Sequence, residues 1–373
     1  MAQMSTCPPL VRESVVDARK LIKDHVHYTP VLTNRTLSKL ASSPRESCLS
    51  RGRRPANPTM RLHFKCENLQ RTGAFKARGA FHALERLKKE PGWIDNGGRE
   101  KGVVAFSSGK ETHYQVESTR LIKPRGNHAQ ALALAARENS IPAHIVMQNS
   151  VRLNKAEATR GYGANVVLCE QGDREAVTAK IVAETGARLV HPFEHPDVIL
   201  GQGTMGLELQ EQVPNLDAII TGCSGGGMIS GIALSCQGTG IKVYGAEPEF
   251  EGADDGRRGY YSGERVTQVK TRTIADGLRA GVGERPWDII YRQKLVSGMY
   301  AVSEDEIREA TRLVLERLKV WIEPSAAVPL AVALYNEEFR AMVQKEAGED
   351  GWDIGIVLSG GKIGVDGLVE LFS

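Results

Sequence analysis

No Cys-x-x-Cys pair and no metal-like spacing occurs among the six cysteines, Cys7, Cys48, Cys66, Cys169, Cys223 and Cys236. That excludes a zinc ribbon and a disulfide scaffold. Several of the six sit inside apolar runs such as Val167-Leu168-Cys169, where a reduced thiol behaves as a small hydrophobe. No apolar run reaches about 18 residues, and the N-terminal stretch lacks a basic-then-apolar pattern. No membrane span or secretory leader is therefore expected, and the cytoplasm is the expected compartment. Charge of one sign is also lacking: 48 Lys and Arg face 45 Asp and Glu, for a net +3. Nucleic acid needs a concentrated basic footprint, so it is not an expected partner. The short cluster Arg51, Arg53, Arg54 lies among Ser, Pro and Asn and reads as a solvated loop. No period of about 20–50 residues repeats, which excludes solenoids and propellers.

What is present is the composition of a soluble α/β protein: 41% hydrophobic, 25% charged and 39 glycines in 373 residues. A chain beyond about 250–300 residues usually divides into two domains. Short β-rich runs alternate with helical ones, with strands expected at 61–66, 103–106, 143–147, 165–169, 189–190, 218–220, 242–246 and 354–358. Helices are expected between them, at 127–139, 154–162 and 303–321. The last opens with Ser303 and Glu306, the spacing of a capping box. Strands separated by helices predict parallel sheets joined by right-handed crossovers. Residues 42–58, rich in Ser, Arg and Pro, read as a loop, and 110–125 form a polar stretch without a firm period.

Five segments carry candidate chemistry. Lys76 lies in Thr72-Gly73-Ala74-Phe75-Lys76-Ala77-Arg78-Gly79-Ala80. A lysine opening a helix is commonly a surface residue, but small neighbours allow close backbone approach, and desolvation lowers an amine's pKa toward the range where it attacks a carbonyl. Ser224-Gly225-Gly226-Gly227-Met228 follows a strand and opens a helix. It reads either as a phosphate cradle of backbone N–H groups or as a plain turn; it has neither the Walker lysine nor a GxGxxG spacing. Ser107-Ser108-Gly109 ends a strand and Asn127-His128 opens a helix. Open α/β sheets bind ligands at that end of a strand, and helix capping is the plainer alternative. Ser359-Gly360-Gly361 follows an apolar strand, where Ser359 is either a ring-nitrogen partner or a turn residue. Glu247, Ala253, Asp254 and Asp255 form an acidic loop suited to a hard cation such as Mg²⁺ or Ca²⁺, or simply a solvated loop.

In this order, ENLQRTGAFKARGA, SSG…NHAQALALAA, GQGTMGLEL, IADGLRAGVG and IEPSAAVPLA resemble the fold-type II pyridoxal-phosphate enzymes, in the serine/threonine dehydratase and eukaryotic serine racemase family. The cysteine synthase type shares the fold but is less similar. The resemblance implies an α/β fold of two domains with mainly parallel twisted sheets flanked by helices, the smaller spanning 90–190 and the larger 1–89 with 191–373. It implies pyridoxal 5'-phosphate bound to Lys76, with Phe75 against the ring, Asn127 on the 3'-oxygen, Ser224 to Met228 around the phosphate and Ser359 at the pyridine nitrogen. Lys76 would then remove the substrate α-proton. Ser107, Ser108, Gly109 and His128 would meet the substrate, with Ser108 on the opposite face as a second proton donor in a racemase. Glu247, the Ala253 carbonyl and Asp255 would hold Mg²⁺ or another divalent cation. The expected product is a 2-oxo acid with ammonia, and the expected assembly is a homodimer.

The sequence departs from that family at four places. Deleting residues 110–126, a 17-residue segment, would restore Ser-Ser-Gly-Asn-His-Ala. An insert there predicts either an impaired, non-catalytic cofactor binder or a retained intron. Gly109-Lys110 can be encoded by a splice-donor-like GGT-AAG, and a mature transcript still carrying those codons would refute the intron. The acidic loop looks about two residues longer than is usual in the family. Phe193 stands after His191-Pro192 where serine racemases tend to carry Asn, which leans toward a dehydratase, and Lys362 follows Ser359-Gly360-Gly361 where Asn is usual.

Overall fold

The computed structural model describes residues 6–45, 55–106, 126–149, 153–170 and 172–373. Among the described residues ten strands form two sheets. Strands β1 (Val31–Thr33), β2 (Met60–Lys65), β3 (Val103–Phe106), β4 (Ala143–Gln148) and β5 (Asn165–Cys169) are followed by β6 (Arg188–Leu189) and β7 (Leu216–Gly222). The series ends with β8 (Lys242–Pro248), β9 (Gly298–Val302) and β10 (Trp352–Val357). Six strands lie in the order β1-β2-β10-β7-β8-β9 and four in the order β5-β4-β3-β6. Every neighbouring pair is parallel except the antiparallel pair β1 and β2.

Side chains alternate across a strand, and this alternation splits the large sheet's core in two. On β7, Ala218 and Ile220 enter one cluster while Ile219 between them enters the other. Both faces are thus covered by helices, which is why the central strands read as apolar runs rather than alternating ones. Burying each Ile, Leu or Val this way contributes about 1.5–3 kcal/mol. At the edge of the polar face, Arg61 and His63 on β2 both reach Asp353 on β10, at 2.8 and 2.6 Å.

Three helices interlock through glycine beneath the site. A Cβ on Gly201 would come within 2.7 Å of Gly79 Cα, and one on Gly231 within 2.6 Å of Gly203 N. The GQGTMG segment is therefore a contact surface: helix Pro196–Gln212 meets helix Lys76–Lys88 on one side and Gly227–Cys236 on the other. The capping box of Ser303 and Glu306 is present. Its helix is shorter than expected, because α geometry gives way to a π turn at Val314–Leu318 and the chain reverses at Lys319, φ 62°. The five described cysteines are free. Among the described residues no helix is long and apolar enough to cross a membrane.

Candidate active site

Lys76 opens its helix after a sharp reversal in which Thr72 (φ 60°) and Gly73 (φ 69°) both adopt left-handed backbone. That reversal is stitched to the C-terminal glycine turn. Phe75 N donates to Ser359 O at 3.1 Å, Gly361 N donates to Gly73 O at 3.0 Å, and Ala74 bridges Gly360. Two segments far apart in the chain thereby present Lys76 and Ser359 to one cleft. The Lys76 ammonium donates to Pro192 O at 3.0 Å, and burial alone lowers its pKa from 10.5 to about 8. Its imidazole neighbours carry no charge to compete with it. Burial first, and then the charge of Lys76, hold His128 and His191 down to about 3.

The same cleft is lined by Phe75, Asn127, Ser224 to Met228 and Ser359, and also by Phe193, Asp276, Glu323 and Ser325. Its glycine loop has no room for side chains. A Cβ would fall 2.4 Å from the Phe193 ring at Gly225, 2.5 Å from Pro286 at Gly226 and 2.9 Å from Phe193 Cα at Gly227. The loop leads directly into helix Gly227–Cys236, whose first N–H groups have no partner within the helix. Ser224 is locked rather than free. Its hydroxyl donates to Ala280 O and accepts from Ala280 N, both at 3.0 Å.

Below the cleft lies a fully paired buried cluster. Arg78 donates to Glu67 (2.8 Å) and Glu208 (2.7 Å), and Lys65 donates to Glu208 (2.7 Å). Burial pushes the Glu67 carboxyl up, but the Arg78 guanidinium outweighs it and holds the group below its ordinary value. Two cations and two carboxylates cancel, and they tie β2 to the helix that begins at Lys76.

His128, expected near the substrate, does not line this cleft. It is 1% exposed, with Nε2 2.9 Å from Val190 O. Successive helical residues point about 100° apart, so a helix that turns Asn127 toward the cleft turns His128 into the core. Ser107, Ser108 and Gly109 lie outside the described residues. Two cleft residues, Asp276 and Glu323, went unassigned at the sequence level. Their signal was present, because both lie inside the segments IADGLRAGVG and IEPSAAVPLA, but as single acidic letters they carry no pattern. Glu323 is 5% exposed and accepts from Asn127 Nδ2 at 3.1 Å and from Lys362 N at 3.1 Å. Burial first, and then the nearby Asp276 charge, raise its pKa to about 7.

At the acidic loop, Glu247 is buried and accepts from Gly256 N (3.1 Å) and Arg257 N (2.7 Å), while Asp255 accepts from Val282 N (3.0 Å). Burial, then the charge of Asp255, pushes Glu247 well above its ordinary value, and burial raises Asp255 to about 7. Two buried carboxyls in each other's field require either protons or a cation, so this oxygen-donor pair fits a hard divalent ion. Cys7, His195 and Asp197 also bring donor atoms within 4.8 Å of one another. There Arg86 lies 3.6 Å from Asp197, and His195 Nδ1 accepts Asp197 N–H at 3.2 Å.

A family model described as "Pyridoxal-phosphate dependent enzyme" matches residues 48–360. The chain belongs to that family. This pyridoxal-phosphate enzyme is 38% identical to serine racemase from Dictyostelium discoideum over 97% of each chain. The crystal structure of that racemase superposes with a TM-score of 0.77, covering 96% of this chain and all of that one. It is 37% identical to L-threo-3-hydroxyaspartate ammonia-lyase from Saccharomyces cerevisiae, over 96% of this chain and 95% of the relative. The crystal structure of a T.th. threonine deaminase has a TM-score of 0.72 at 33% identity, covering 94% of this chain and 98% of that one. The fold is the α/β, mainly parallel architecture shared by these structures. The cleft fits pyridoxal phosphate on its own terms. It pairs a desolvated amine with a side-chain-free glycine loop at a helix start, and the buried Asn127 Oδ1 has no hydrogen-bond partner.

Proposed function

We propose that this pyridoxal-phosphate enzyme is a dehydratase of 3-hydroxy amino acids: L-serine, L-threonine or 3-hydroxyaspartate. It converts the amino acid to a 2-oxo acid and ammonia, with serine racemisation as a second activity of the same site. The observation that carries this reading is the amine of Lys76, desolvated to a pKa of about 8 in the cleft that also holds the glycine loop.

In this reading Lys76 would hold the cofactor through its amine, and that amine would take the substrate α-proton. When bound, the cofactor supplies the electron sink for the α-carbon. Phe75 would lie against the ring, the Ser224 to Met228 loop would take the phosphate, and Asn127 would meet the 3'-oxygen. Ser359 would offer the ring nitrogen a neutral hydroxyl, which favours β-elimination over a long-lived carbanion. One base suffices for elimination, whereas racemisation needs a second on the opposite face, the role proposed for Ser108. Ser107, Ser108 and Gly109, which lie outside the described residues, would meet the substrate, with Ser108 at its carboxylate. Water leaves in the elimination and is returned on hydrolysis of the enamine, so the net change is amino acid to 2-oxo acid plus ammonia.

Glu247, the Ala253 carbonyl and Asp255 are proposed to bind Mg²⁺ or a similar ion. The four-stranded sheet is proposed to form the core of a smaller domain, 90–190. A cytoplasmic homodimer completes the reading, and sedimentation checks the assembly.

The test is direct. Protein supplied with pyridoxal phosphate should be yellow, with a visible absorbance that borohydride abolishes and that Lys76→Ala lacks. Incubated with the three hydroxy amino acids, it should release 2-oxo acid and ammonia in equal amounts. A coloured protein that makes no 2-oxo acid would establish a non-catalytic binder. Consumption of sulfide or homocysteine together with serine would establish β-replacement instead. A protein colourless after cofactor addition refutes the reading.

A further inference from the structure

Two side-chain hydrogen bonds join the C-terminal glycine turn to the first turn of the helix Asn127–Glu138. Glu323 Oε1 accepts from Asn127 Nδ2 at 3.1 Å, and Lys362 Nζ donates to Gln130 Oε1 at 2.7 Å. The two anchors are themselves linked, because Lys362 N donates to Glu323 Oε2 and Glu323 N donates to Gly360 O at 3.0 Å. The Lys362 stem then runs over the lysine loop, where its Cγ lies 3.6 Å from a Cβ built on Gly73. Residues 360–362, the Lys76 loop and the start of the Asn127 helix thus meet at one point. Glu323 Oε1 meets the Asn127 amide as an acceptor, so Glu323 selects which end of that amide faces it. Asn127 is left with its second N–H and its unpartnered Oδ1 for the cleft.

We infer that Glu323 and Lys362 form a clasp that holds the first turn of helix Asn127–Glu138, and with it the Asn127 amide, in the cofactor cleft. Both are positioning residues. The inference rests on reading Asn127 as a cofactor contact, so its test includes a measurement that needs no cofactor.

Hydrogen exchange of the apoprotein, resolved by peptide, is compared between wild type, Lys362→Met, Lys362→Arg and Glu323→Gln. Methionine keeps the packed stem and removes the donor, whereas arginine restores a donor. Losing a hydrogen bond to a charged group should speed exchange in the first two turns of helix Asn127–Glu138 by about 10-fold. Helix Glu304–Leu313 should be unchanged, and Lys362→Arg should exchange like wild type. Glu323→Gln, which cannot accept from both Asn127 and Lys362 N without turning a donor toward one of them, should behave like Lys362→Met. Cofactor titration by visible absorbance should then show the Kd raised by about the same factor in both weakened variants. Unchanged exchange in Lys362→Met, or equal acceleration everywhere, overturns the clasp. Faster exchange with an unchanged Kd overturns its link to the cofactor site. Failure of wild type to bind cofactor at all would strike the functional reading while leaving the exchange result standing.

Discussion

Lys76 is desolvated rather than paired with a second charge, and that difference can be measured through pH. With a pKa of about 8 in place of 10.5, roughly one-tenth of the amine is free at pH 7, against about three parts in ten thousand for an ordinary lysine. The cleft therefore offers roughly 300-fold more nucleophile at neutral pH than a surface lysine would. The assay is the rate at which apoprotein captures pyridoxal phosphate, followed by visible absorbance across about pH 6–10. A simple amine of ordinary pKa, titrated alongside and corrected for its own protonation, cancels the ionisations of the cofactor itself. The normalised rate should climb about tenfold per pH unit, bend near 8 and then level off. Hydrating the amine by Phe75→Ser should move the bend upward, because the Phe75 ring lies 4.9 Å from Nζ and helps to exclude water. A rate that climbs without a bend past pH 9, or a Lys76→Ala protein that captures cofactor at the same rate, refutes the reasoning.

Three further outcomes are expected. Gly225→Ala places a methyl 2.4 Å from the Phe193 ring; overpacking of about 1–3 kcal/mol should raise the cofactor Kd roughly 5- to 150-fold. Adding Phe193→Leu should recover part of that loss, as read by titration. Arg78→Met leaves Glu67 and Glu208 buried without their shared cation, a loss of about 3–5 kcal/mol that should appear as a large fall in denaturation midpoint. Because the folded pKa of Glu67 is lowered, its pairing stabilises the wild type above the ordinary carboxylate range and is lost as pH falls through the folded value. The variant should therefore lose less stability than wild type on acidification. Mg²⁺ should raise the thermal midpoint of chelator-treated protein, and more so at about pH 8 than at about pH 5.5, because protons and cation compete for Glu247 and Asp255. Their raised pKa values mean that rising pH costs stability unless a cation takes the proton's place. Glu247→Gln should abolish the Mg²⁺ response, and an equal response at both pH values would refute the shared site.

Much of the fold was legible in the chain because its central strands are short apolar runs closed by turn residues. β3 and β5 were expected at the bounds they have. β9 was not expected, since Gly-Met-Tyr-Ala-Val is short, opens on glycine and lacks a clear period. β1, three residues long and antiparallel, gave no signal either. The helix from Ser303 was legible at its start, where the cap is a local pattern. Its end was not, because the π turn before Lys319 depends on packing.

The same division runs through the site. By itself the sequence singled out Lys76, the glycine loop and Ser359 as candidates, because each sits in a local motif after a strand, and it left a plainer reading open for each. It also determined the family, through the order of those motifs. Only the tertiary structure decided that His128 turns inward, that Glu323 faces Asn127 and that Lys362 reaches Gln130. Those contacts join residues about 60 to 230 positions apart. A hydrogen bond has a reach of about 3 Å, and single polar residues at such separations leave no periodicity in the chain. Their partnership exists only once the parallel sheets and their crossovers have brought the strand ends together.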